Sequence, residues 1–219
     1  MRTLLIAALL VSGLAQADVP TLSASVGYAT QVFTARQFDL VNLNDNLNQG
    51  RVAVGTGFTL PFGALDLELG FATGGTRTLA HGTVPVDFAL KGLQLAATYR
   101  VPVRPWFSPY AQVAGGYDWA SLTLFSEERL TQTVGALSGV GLLGVQLGVK
   151  MGGEKLVRAP WLVFDVGAGA VLRQVPHFDA LGATPPEKPA VDAIATSQVN
   201  LGSMPLSGFT MRVLVGVRY

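Results

Sequence analysis

Nine charged side chains are this chain's clearest candidates for polar chemistry: Asp66, Glu68, Arg100, Asp118, Lys150, Asp165, Arg173, Arg212 and Arg218. Each falls on the small or polar half of a segment whose other half is apolar, so all share one face of a pleated surface. Their signs are mixed, and they can pair as buried charges must. Two uses fit: an internal network that fills an enclosed space, or a polar lining for a narrow conduit. The remaining candidates are weaker. His81 and His177 stand in long connections with no nucleophile, base and acid visibly grouped. Gly139-Val140-Gly141-Leu142-Leu143-Gly144 spells a dinucleotide fingerprint, with Asp165 at the distance of a ribose-binding acid. Its glycines run on into strand-phased Gln146, Gly148 and Lys150, not into a helix whose N-terminus would meet phosphate. Asp39–Asn48 is rich in oxygen ligands but lacks the spacing of a calcium loop. Arg36, Arg51, Arg77 and Arg129 lie in or beside the long connections, where guanidinium groups suit phosphate groups of a ligand or simply face water. No cofactor, metal site or catalytic set is expected.

Eight segments of period two position the nine charges. The apolar half of each reads Leu22–Tyr28, Val52–Leu60, Leu65–Phe71, Leu93–Val101, Ala111–Trp119, Leu143–Val149, Leu162–Ala170 and Met211–Tyr219, with every second residue pointing the same way. Phe88 and Leu90 are out of phase with Leu93–Val101, which predicts a bulge near Lys91. The uncharged run Leu130–Val149 is long enough for a membrane helix and carries Gly135-x-x-x-Gly139 and Gly144-x-x-x-Gly148. Its period of two reads as strand instead. Connections alternate in length. Pro61–Ala64, Pro102–Trp106 and Gly152–Leu156 are short; Thr34–Gly50, Thr73–Val86, Ala120–Gly135 and Gln174–Leu206 are long, the last with room for an extra strand pair near Val191–Val199. Phe62, Tyr99, Trp106, Phe107, Trp161 and Tyr219 fall near the short turns, and Phe33, Phe71, Phe88, Tyr117, Trp119 and Phe209 near the long ones. Two aromatic bands are what two membrane interfaces select.

Met1–Ala17 has one Arg, an apolar middle and an Ala15-Gln16-Ala17 end, the layout of a cleavable export signal. The domain reading is therefore a signal at 1–17 and a barrel at 18–219. Removing Arg2 leaves 14 basic against 14 acidic residues, which gives nucleic acid nothing to attract. Charged residues are 13% of the chain, about half the ~25% of soluble domains, so much apolar surface must face something other than water. With no cysteine, disulfide scaffolds, thiolate metal sites and a lipid-anchored Cys are excluded.

On these segments and connections the chain resembles the small eight-stranded outer-membrane β-barrels, the group that includes OmpA-, OmpX- and OmpW-type proteins. The resemblance implies an all-β, antiparallel, up-and-down transmembrane barrel, monomeric, in the outer membrane of a Gram-negative-type bacterium, with both termini on the short-turn side. The last strand, Gly208–Tyr219, resembles the group's assembly signal at Arg212 and Tyr219, implying recognition by the barrel-assembly machinery. Leu214 and Val217 depart from it where Gly and an aromatic are usual. Implied partners are outer-membrane lipid and lipopolysaccharide. The implied role is structural or surface-interacting with a closed lumen, or else a narrow passive channel of the OmpW type.

Overall fold

The computed structural model describes residues 20–33, 46–80, 84–125, 129–152, 159–179 and 202–219. The export signal, the oxygen-rich segment up to Asp45, Arg36, His81 and the Val191–Val199 region lie outside them.

Alternation of Val, Leu and aromatic residues with small or polar ones forms strands, because successive side chains then sort to opposite faces. Among the described residues ten result: β1 (Thr21–Phe33), β2 (Asn46–Leu60), β3 (Gly63–Ala80), β4 (Val84–Arg100), β5 (Phe107–Phe125), β6 (Arg129–Lys150), β7 (Trp161–Arg173), β8 (His177–Phe178), β9 (Gly202–Ser203) and β10 (Gly208–Arg218). Eight close into an antiparallel barrel in the order β1-β10-β7-β6-β5-β4-β3-β2, and β8 pairs β9 as a small separate hairpin. The barrel seals between β1 and β10, where Ser23 faces Arg218 and Phe33 faces Gly208. Leu22 and Tyr219 exchange both backbone hydrogen bonds at 2.8 Å below that seam. The run Leu130–Val149 is strand, as its period requires.

Two expectations are corrected. No bulge occurs near Lys91: pairing of β4 with β3 and β5 is unbroken through it. Phe88 and Leu90 are inward residues, both 0% exposed. They break the polar-inside pattern because this part of the interior is apolar. The long connections are also shorter than expected. Much of Thr73–Val86 and Ala120–Gly135 is strand, and β3 to β6 run for 17 to 22 residues. Among the described residues, β2 pairs β3 only up to Gly74, and β7 pairs β6 only from Ser138. The four strands therefore continue past the closed barrel as an open sheet.

The outer wall changes character at that level. Below, it presents exposed Phe71, Leu93, Leu95, Val113, Tyr117, Leu137 and Leu143. Above, it presents Arg77, Asp87, Ser121 and Thr133 with one exposed large apolar side chain among them, Leu79; Lys91 stands at the boundary. From Leu93 on β4 to Val101 just past its end, the apolar stretch spans nine residues, about 30 Å of extended chain. Tilted at ~40°, that is close to the ~25 Å apolar band of a membrane barrel. Trp119 packs edge-on to Tyr117 at the upper border, ring centroids 5.1 Å apart. Phe62, Trp106 and Tyr219 are exposed at the lower one. Phe33 and Phe88 do not join the upper girdle: they lie inside, edge-to-face at 6.2 Å.

Leu95 is 68% exposed in mid-band. Leu95→Arg should cost about 2–4 kcal/mol of unfolding free energy in lipid vesicles. Leu79→Arg, on the projecting sheet, should cost no more than about 1 kcal/mol.

Candidate functional site

An eight-stranded barrel has an interior just wide enough for side chains to fill. Here the filling comes in layers. At the short-turn end, Asp66 on β3 accepts Arg100 Nε at 2.7 Å and Arg218 Nη2 at 3.3 Å. Arg218 Nη2 also donates to Gln146 Oε1 at 2.9 Å, and Gln146 Nε2 donates to Asp165 Oδ2 at 3.1 Å. Asp165 Oδ1 accepts Tyr110 OH at 2.9 Å and Arg212 Nε at 3.1 Å. Arg212 Nη1 reaches across to Gln112 Oε1 at 2.6 Å, and Gln112 Nε2 donates to Thr98 Oγ1 at 2.7 Å. The chain of contacts joins β3, β4, β5, β6, β7 and β10.

A second polar layer lies above. Arg173 donates from Nε to Asp118 at 2.7 Å and from Nη1 to the Leu206 carbonyl at 2.5 Å. Gln31 Nε2 donates to that same carbonyl at 3.0 Å. Arg51 Nη1 donates to Gln94 at 2.6 Å. Above these, Phe33, Leu47, Phe88, Leu90, Leu122 and Leu124 pack against Phe178, Met204 and Leu206, brought in beside the β8–β9 hairpin. Cavities of about 40 Å³ beside Arg51 and Arg212 and about 30 Å³ beside Asp165 and Arg218 lie between the packed side chains.

Inward glycines explain how long polar side chains lie flat across so narrow a bore. A Cβ on Gly167 or Gly144 would strike the Tyr110 hydroxyl, and one on Gly92 would strike Asp118. Gly70 would place its Cβ 2.8 Å from the Arg51 guanidinium. The glycine content is thus partly a set of slots.

Of the nine charges expected together, Asp66, Arg100, Asp118, Asp165, Arg173, Arg212 and Arg218 form ion pairs. Glu68 is inside, and among the described residues its hydrogen bond is with Gln112, at 3.4 Å, and it forms no ion pair. Lys150 is not in the network. It ends β6 at the open rim and is exposed. Arg51, expected at the surface, is an interior residue only 7% exposed. Extending the β2 alternation back from Ala53 by one step finds it. The same step back from Gln112 finds Tyr110. Arg77 stays on the surface, held by Asp87 and stacked over Phe125 at 5.3 Å. The fingerprint glycines sit mid-strand in β6, with no helix terminus to receive phosphate. His177 Nδ1 lies 3.1 Å from Ser203 Oγ, a pairing invisible in sequence. Asp179, two residues on, instead accepts Gln132 Nε2 at 3.2 Å, and among the described residues no carboxylate is in ion-pair range of His177.

No protein-family model matches the chain, and no curated protein is significantly similar to it in sequence. Solved structures match its fold. A major outer membrane protein from Thermus thermophilus is 15% identical, with TM-score 0.51 over 92% of this chain and 99% of that one. Ail, the attachment invasion locus protein of Yersinia pestis, is 13% identical, with TM-score 0.50 over 92% and 100%. The chain thus has the fold of the small eight-stranded outer-membrane β-barrels.

Asp165→Ala leaves Arg212 buried and unpaired, and should destabilise the barrel by about 3–5 kcal/mol in reversible vesicle unfolding. Gly167→Ala should be destabilising because of Tyr110. Combined with Tyr110→Phe, which removes the colliding oxygen, its cost should fall measurably below the sum of the two single changes.

Proposed function

We propose that this protein is exported by its N-terminal signal to an outer membrane, where it forms a monomeric barrel with a closed lumen and a surface-interaction role, without enzymatic activity. The carrying observation is the interior itself. Two polar layers and an apolar one cross it in succession, and the cavities between the polar side chains are about 40 and 30 Å³. A hydrated ion needs a continuous polar path, and the Phe33–Phe88–Leu206 layer offers none. The outer-membrane setting is supported by the apolar outer band, its aromatic borders and the fold it shares with outer-membrane proteins.

The surface role rests on the open β3–β6 sheet. Its outer face is largely polar, Leu79 apart, where the barrel below is apolar, which suits a sheet standing in water beyond the bilayer. The inner face is covered by the apolar cluster, which gives a sheet with few neighbours enough packing to hold its shape. Its Arg77 and Asp87 are occupied with each other. Contact with lipopolysaccharide or another surface partner would therefore use the face or edge of the sheet and the long connections.

Two measurements test this reading. The purified protein, shown by unheated against boiled gel mobility to be folded, should give no steady ion conductance in a planar bilayer. Steady conductance would favour the narrow channel instead. Since the chain has no cysteine, Leu79→Cys and Val103→Cys report topology directly. A membrane-impermeant maleimide should label the first and not the second on intact cells; the reverse would invert the barrel.

A further inference from the structure

The short-turn mouth of the barrel holds a cavity of about 840 Å³. Three cations line it, Arg100, Lys150 and Arg218, and among the described residues no Asp or Glu side chain does. Trp106, Trp161 and Tyr219 form an aromatic part of the same wall. Beneath, Asp66 is shared by two guanidinium groups. Arg100 uses Nε and Arg218 uses Nη2, so neither meets the carboxylate with a two-nitrogen fork. Each keeps nitrogen donors for another acceptor. Lys150 has no ion pair among the described residues. Three cations face the cavity; among the described residues Asp66 is the carboxylate in ion-pair range of them, and Asp165 lies one hydrogen bond further in through Gln146. The lining itself is cationic and aromatic in a recess of ligand size, which favours an anion carrying an apolar body.

We propose that this vestibule is a binding site for a phosphate ester. Arg100 and Arg218 hold the phosphoryl oxygens, for which planar guanidinium donors are suited. Lys150 adds a mobile point charge at the rim. Trp106 and Trp161 cover the apolar part of the ligand. Phosphate esters reach this mouth from two sources, a phospholipid of the adjoining leaflet or a soluble phosphorylated molecule, and the chemistry of capture is the same for both. The site opens on the mouth side of the lowest polar layer, and the apolar layer that interrupts a polar path lies further up the lumen.

The test uses the full barrel in an uncharged maltoside detergent and follows tryptophan fluorescence. Of the three tryptophans, two line this cavity. Probes are dihexanoyl-phosphatidylglycerol, glycerol 3-phosphate, and neutral dihexanoylglycerol as control. A saturable response to either phosphate probe, weakened tenfold or more by Lys150→Glu and by Arg100→Gln, is expected. Lys150→Glu lies outside the buried network, and its folding is checked by gel mobility. Response to the lipid alone assigns the site to a headgroup; response to glycerol 3-phosphate of similar strength assigns it to soluble esters. No saturable response to either phosphate probe, equal binding of the neutral control, or full affinity in both variants would overturn the proposal.

Discussion

Everything in this molecule follows from one constraint: eight strands enclose a bore that water cannot fill usefully and side chains must. Most inward polar groups then find partners inside the barrel, although Arg51 Nε, Asp66 Oδ1, Ser138 Oγ and Arg218 Nε have none among the described residues, and the other inward positions are apolar or glycine. Asp165 shows the solution at its densest. It sits on β7 and accepts from Tyr110 on β5, Arg212 on β10 and Gln146 on β6. One carboxylate thereby ties together four strands. Such a knot stabilises little relative to an ideal apolar filling, but breaking it is costly because the remaining charge stays buried. Its gain is specificity of register: a slip by one residue would turn Asp165 and Arg212 to the lipid and Phe164 and Val213 to the interior.

The layers divide the work. Polar pairs occupy the short-turn half, where Arg100 and Arg218 still border the open mouth. Towards the projecting sheet the filling becomes apolar, and it borrows Phe178, Met204 and Leu206 from around the small hairpin. Leu206 links the two regimes: its side chain joins the apolar cluster, and its carbonyl accepts from Arg173 and Gln31. The ordering of charge therefore runs with the axis of the barrel, wet at one mouth and dry towards the other. That polarity underlies both the closed-lumen reading and the anionic ligand assigned to the vestibule.

Sequence reading recovers the barrel because period two is a local signal and eight strands repeat it. It recovers Asp66, Asp118, Asp165, Arg173 and Arg212 because charges on the small-residue side of a strand have nowhere else to go. Phe88 and Leu90 mislead for the same reason in reverse. Alternation tells which residues share a face, but not whether a stretch of interior is polar or apolar. Arg51 and Tyr110 escape because the strands extend further than the apolar band that marks them. Lys150 reads as interior because phase does not say where a strand emerges into water. The contact of His177 with Ser203, and the role of Leu206, depend on chain returning from 26 and more residues away, which no local pattern encodes.

The central claim is that mutually satisfied side chains, and not the wall alone, hold this barrel in one state. A double-mutant cycle on Asp118 and Arg173, read by reversible unfolding in lipid vesicles, tests it most directly, because this pair has side chains almost wholly removed from solvent and bridges strands that are not neighbours. The account predicts strong coupling between Asp118→Ala and Arg173→Ala, towards the upper end of the ~0.5–3 kcal/mol range for residues in contact. Additive effects, with each substitution costing under about 0.5 kcal/mol, would contradict it.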